Sequence, residues 1–122
     1  MTKNEASDNQ VYLRGRLAAT PAFRELPSGD VLAIFRVTVD RPAQDRVRVD
    51  SIDCVTTYAR ARNALARADA GDALEVHGSL HRRFWRTPAG PASRYAVDAR
   101  TVRVTKAGRR GAASRARTPA SE

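Results

Sequence analysis

The residues best equipped for chemistry are gathered in His81-Arg82-Arg83-Phe84-Trp85-Arg86, where three guanidinium groups and the sole tryptophan occupy six positions. Guanidinium groups neutralise phosphates, and an indole on the same ribbon offers a flat surface to an unpaired base, a contact worth about 1–3 kcal/mol per base. A duplex presents no free base face to such a ring. The same string also reads as a core tryptophan beside an ordinary solvated arginine edge. Other reactive types are sparse. His77 and His81 stand four apart, which places both on one face of a strand, but no thiol or carboxylate set completes a site around them. Ser51, Ser79 and the Asp50/Asp53 pair make no catalytic set either, because residues three apart on a strand face opposite ways. Two histidines and one cysteine, Cys54, fall short of a zinc ligand set. No metal, cofactor or enzymatic activity is expected.

The elements that must position these side chains come from a chain of 122 residues, enough for one domain with a tail. Twenty-two Lys and Arg against 13 Asp and Glu give a net charge of +9, which suits an anionic polymer or an acidic membrane. A membrane fits poorly: no apolar run approaches the roughly 20 residues of a spanning helix, and the basic residues fall in strand-like segments rather than on one amphipathic helix. Only Lys3 and Lys106 are lysine. A GC-rich genome favours arginine as readily as selection for guanidinium does, so the sign of the charge carries the argument. The single cysteine rules out an internal disulfide, and the polar start Met1-Thr2-Lys3-Asn4-Glu5 has no signal-peptide core. A cytoplasmic location is expected.

Residues 1–9 are polar and read as a flexible N-terminus. Val11, Leu13, Gly15 and Leu17 then alternate with Tyr12, Arg14 and Arg16 as a first strand. Breakers at Thr20-Pro21 and Leu26 to Asp30 bracket a loop or hairpin around Phe23 and Arg24. Val31 to Val39 forms a second strand. Asp40 to Arg48 reads as a mobile, charged loop. Val49 to Tyr58 forms a third strand, with Ile52, Cys54, Thr56 and Tyr58 on one face. Ala59 to Ala70 favours a short helix stopped by Gly71-Asp72. Leu74 begins a fourth strand running into Trp85, with a bulge expected where its phase changes at Arg82 and Arg83. After the Thr87 to Pro91 turn, Tyr95, Val97 and Ala99 alternate as a fifth strand before the phase shifts to Val102 and Val104. From Lys106 to Glu122 five basic residues meet one acid, and a disordered basic tail over 106–122 is expected. Five strands with one short helix between the third and fourth match an all-β OB-fold, a five-stranded Greek-key barrel over residues 10–105.

The order of the blocks also carries a family resemblance. Asn9 to Leu17, Pro21 to Arg24, Pro27-Ser28-Gly29, Val37-Thr38-Val39, Gly71 to Leu80, Arg83-Phe84-Trp85, Gly90 and Arg94-Tyr95 resemble, in that order, bacterial single-stranded DNA-binding proteins. The likeness spans about Asn9 to Thr105. It implies an OB-fold protomer, a homotetramer that wraps unpaired DNA with little sequence preference, and no chemistry. By the resemblance Trp85 and Tyr58 fall on base-stacking positions, Arg60 and Arg83 on backbone-contacting ones, and Ile52 where the family often has a stacking tryptophan. A further family tryptophan near Arg41 to Ala43 is missing. Arg36, Arg41, Arg48, Arg82 and Arg86 complete the DNA-binding candidates, because collectively the basic residues of the strands and loop favour a groove. Tyr12 and Tyr95 read as packing residues, and Phe84, neighbour to Trp85, as part of the core.

The expected function is therefore coating and protection of single-stranded DNA in replication, recombination or repair, by arginine–phosphate attraction and base stacking. The family's acidic, hydrophobic-tipped tail, which recruits repair enzymes, has no counterpart in Arg115 to Glu122. A short paralogue without that recruitment is expected. Two alternatives stay open at this level: a protein-interaction module of a replication-restart assembly with secondary nucleic-acid binding, and an RNA-binding protein.

Overall fold

In the computed structural model, which describes residues 7–44, 46 and 48–106, the chain runs β1 (Val11–Leu17), β2 (Ala22–Glu25), β3 (Val31–Asp40), β4 (Val49–Thr56), α1 (Ala59–Ala66), β5 (Ala73–Thr87) and β6 (Gly90–Thr105). The expected basic tail beyond Lys106 and most of the expected flexible N-terminus lie outside these residues. Strand neighbours run β1-β5-β6-β4-β3, and β1 returns to β3 through Arg16 opposite Thr38 and Leu17 opposite Val37. Those pairings close a five-stranded barrel. β4 and β6 run parallel, while the other strand pairs are antiparallel. This is the OB-fold with one helix, lying between the third and fourth barrel strands. β2 adds an exposed arm on β3, so the expected loop or hairpin is a hairpin.

Alternation fills the barrel. Ala33, Phe35 and Val37 of β3 meet Cys54 and Thr56 of β4, Leu74 and Val76 of β5, and Val97 and Ala99 of β6, all nearly inaccessible to water. Leu65 of α1 joins this core and is fully buried. Two glycines permit strand crossings that no side chain would allow. A Cβ at Gly15 would run into the Thr38 carbonyl where β1 leaves β5 for β3, and one at Gly78 would run into the Asp98 carbonyl.

Three expectations need correction. The helix ends at Ala66 rather than Ala70, because the Asp72 carboxylate accepts a hydrogen bond from Asp69 N at 2.8 Å and turns the chain out of the helix. The bulge lies not at Arg82 and Arg83 but beside Gly78: His77 pairs with Thr101 and Gly78 with Ala99, leaving Arg100 as the extra residue. It falls where the fifth strand's apolar phase shifts. The phase change near Arg82 has another cause. Beyond His81 the β5–β6 hairpin projects past the barrel, so neither of its faces has a core to match. For that reason Phe84 is 69% exposed rather than buried, and Tyr95 is also exposed. Tyr12, on β1, is half-exposed but keeps a packing contact, its ring centroid 4.6 Å from that of His77.

At the chain's entrance Asn9 acts as a short strand extension. Its side-chain amide donates to Leu80 O and accepts from Leu80 N, both at 2.8 Å. At the exit the Lys106 ammonium donates to Arg67 O at 2.7 Å and lies 2.9 and 3.0 Å from the carboxylates of Asp69 and Asp72. Asp72 is buried. Hydrogen bonds to the Asp69 and then the Asp72 carboxylate hold the Lys106 pKa above its usual value, keeping the cation that the buried carboxylate needs.

Candidate nucleic-acid interface

The outer surface of the barrel between β3 and the hairpin holds a depression of about 620 Å³. Ile34 and Arg36 of β3, Asp53 and Val55 of β4, Arg83, Phe84 and Trp85 of β5, and Arg94 and Ala96 of β6 line it, together with Arg24 of β2. Register explains the gathering. Arg36 pairs with Asp53 across β3 and β4, and Arg83 pairs with Arg94 across the hairpin. Side chains on one face of paired strands stand together. Trp85 is 46% exposed, so half of its indole surface is open to a ligand. Asp53 bridges two of the cations, with one carboxylate oxygen 3.0 Å from Arg36 Nε and the other 3.5 Å from Arg94 Nη1. Beneath the floor, burial and then the Asp53 charge push the Cys54 thiol up to about 12, so it stays protonated and unreactive at neutral pH.

Tyr58 lies in a separate depression of about 370 Å³ with His77, Ser79, Asp98 and Arg100. Its position is set by the end of β4. The buried Thr56 hydroxyl donates to Ala99 O at 2.8 Å and accepts from Tyr58 N at 3.2 Å, and Tyr58 O then receives the first helical bond from Arg62 N. Bulging at Arg100 carries its guanidinium over the Tyr58 ring, 5.5 Å from the centroid. A third depression joins the other two, sharing Asp98 with the Tyr58 site and Val55, Arg83 and Ala96 with the Trp85 site. The result is a track of connected hollows along the outside of the β4–β6 seam.

The sequence candidates separate on this surface. Trp85, Arg83 and Arg36 line the main groove, and Tyr58 lies at the far end of the track. Arg60 is exposed on the first turn of α1, beyond Tyr58. Arg82 stands on the other face of the hairpin from Trp85, its guanidinium 5.0 Å from the Phe84 centroid and 5.5 Å from that of Tyr95. Arg86 is exposed near the hairpin tip. Arg41 pairs with Asp50 at 3.3 Å, and its amide donates to the carbonyl of the exposed Arg48, so both lie at the β3–β4 loop. Ile52 is half-buried and packs against the barrel core. Sequence reasoning missed Arg24, Arg94, Arg100 and Asp53, whose membership depends on cross-strand register.

His81 Nε2 lies 3.0 Å from Ser79 Oγ, and His81 Nδ1 lies 3.8 Å from Asp98. The second distance exceeds a hydrogen bond, so the carboxylate does not lock the imidazole as a base. Among the described residues no three His, Cys, Asp or Glu side chains are placed to hold a metal ion, and no helix is long and apolar enough to cross a membrane.

Residues 8–105 match the profile of the Single-strand binding protein family. The chain belongs to that family. Single-stranded DNA-binding protein 1 of Staphylococcus aureus (strain COL) is 34% identical over 85 residues, which are 67% of this chain and 51% of the relative. Single-stranded DNA-binding protein A of Bacillus subtilis (strain 168) is 32% identical over 85 residues, 67% of this chain and 49% of the relative. The chain thus spans about half the length of the curated family members it matches. The Plasmodium falciparum SSB solved in complex with ssDNA superposes with a TM-score of 0.69 at 24% identity, over 81% of this chain and 94% of that one. A small single-stranded DNA-binding protein from Streptomyces coelicolor gives 0.62 at 23%, over 80% and 95%. At those identities the two structures bear on the fold, which they share with this family member.

Proposed function

We propose that this chain binds single-stranded DNA without sequence preference, coating and protecting it in replication, recombination or repair, and performs no chemistry. The observation that carries the reading is the groove that sets the half-exposed Trp85 indole beside Arg36, Arg83 and Arg94. Stacking serves any base and arginine serves any phosphate, so neither contact reads sequence. Family membership and the names of the curated relatives support the same ligand. Residues 10–105 form the binding unit, Tyr58 and Arg60 extend it beyond Trp85, and Ile52 contributes by supporting the floor. Copies of this unit assemble as a homotetramer in the cytoplasm, on nucleoid DNA.

Equal lengths of labelled single-stranded DNA, duplex and RNA, titrated at modest ionic strength, test the reading. Single-stranded DNA is expected to bind best. Trp85→Ala is expected to cost about 1–3 kcal/mol and to remove most of the fluorescence quenching. Equal affinity for duplex, or an unaffected Trp85→Ala protein that is folded, rejects the groove as the binding site.

A further inference from the structure

We propose that the back of the β5–β6 hairpin, centred on Arg82, Phe84 and Tyr95, is a second stacking surface for unpaired polynucleotide, onto which a strand leaving the Trp85 groove continues. The proposal rests on the reading of that groove as a single-strand site. Alternation along β5 turns Arg82 and Phe84 away from the face that carries Arg83 and Trp85, and the register sets Tyr95 directly opposite Arg82. Phe84 and Tyr95 are 69% and 58% exposed. Two large rings left in water on a projecting ribbon gain nothing for the barrel, and burial against a ligand would recover that loss.

The cation between them is already ordered. Arg82 Nε and Nη2 lie 3.3 and 3.1 Å from Ser93 Oγ, to which they donate, while the guanidinium carbon sits over both rings. A cation and two rings fixed in this way match one repeating unit of an unpaired strand, with phosphate to the guanidinium and bases to the rings. Ordering before contact lowers the entropy lost on binding. Charge favours nucleic acid over a basic or neutral protein surface. From His81 to Val97 the hairpin carries Arg82, Arg83, Arg86 and Arg94 and no Asp or Glu. Phe84 also contributes to the wall of the Trp85 groove, so the two surfaces are contiguous.

The test compares the full chain with its Tyr95→Ala and Trp85→Ala variants on labelled oligo(dT) of increasing length, with circular dichroism and light scattering confirming fold and mass. Tyr95 lies outside the lining of the Trp85 groove, so Tyr95→Ala is expected to match the wild type on the shortest oligonucleotide the wild type holds. On longer ones it should lose about fivefold or more, with affinity ceasing to rise at a shorter length. Trp85→Ala should lose at every length. Equal binding by the Tyr95→Ala variant at all lengths overturns the proposal. So does a changed mass with undiminished long-oligonucleotide affinity, which would make this face a protein contact. In the unmodified chain, a bromouracil oligonucleotide is expected to cross-link at Tyr95, and cross-linking confined to the Trp85 side also overturns it. An unaffected Trp85→Ala variant instead rejects the groove reading, so the two failures are distinguishable.

Discussion

A carboxylate lodged between two groove arginines competes with phosphate for both. Asp53 holds Arg36 and Arg94 in fixed directions, yet its charge repels the ligand the groove is proposed to take. Both ion pairs are at least partly exposed, so each contributes about 0–1 kcal/mol to stability. Asp53→Asn is therefore expected to leave thermal melting within about 1 kcal/mol of the wild type. Single-stranded DNA should bind the variant more tightly, by about 1 kcal/mol or roughly fivefold at low salt, since one charge of the ligand's own sign has gone. Reduced affinity in a folded Asp53→Asn protein would mean that orienting the arginines outweighs the repulsion. Sequence reading passed over this residue because its significance depends on Arg94, 41 positions away in the chain and brought near only by the β4–β6 seam.

At the scale of the element, the β5–β6 bulge does two things at once. It changes the phase of β6, so that Val97 and Ala99 point inward before it while Val102 and Val104 pack against the core after it. It also swings Arg100 over Tyr58. Gly78 is what admits the close approach, because any Cβ there meets the Asp98 carbonyl. Gly78→Ala is expected to destabilise the barrel by about 3 kcal/mol or more in denaturant melts, the upper range of overpacking, as backbone must move to make room. A loss below about 1 kcal/mol would show that the strands slide apart easily. The two phase changes in the last strands look alike in the sequence. Only one is a bulge, because only there does the strand still have a buried inner face.

Over the whole molecule, net charge alone does not specify binding, because acids at Asp53 and Asp98 interrupt the track and the arginines are spread over several surfaces. The groove itself gathers Arg24, Arg36, Arg83 and Arg94. If each neutralises one phosphate of a single strand, the logarithm of the affinity is expected to fall with that of salt concentration at a slope of about three. Fluorescence titrations at several salt concentrations measure it. A slope near zero would remove arginine–phosphate attraction from the proposed mechanism, whereas a much steeper one would bring in cations outside the groove.

The amino-acid sequence by itself determined the barrel and its main ring. Hydrophobic alternation is local, and Val31 to Val39, Leu74 to Val76 and Val97 to Ala99 each declare an inner face within a few residues. Trp85 stood out because it is the single indole in a cationic string. Tertiary structure decided the rest. Which arginines share the groove, which face of the hairpin each aromatic occupies and whether Phe84 is buried all depend on strand register and on where the hairpin outruns the core. A one-residue slip of register exchanges the two faces of a strand, and residues far apart in sequence carry no local sign of their pairing.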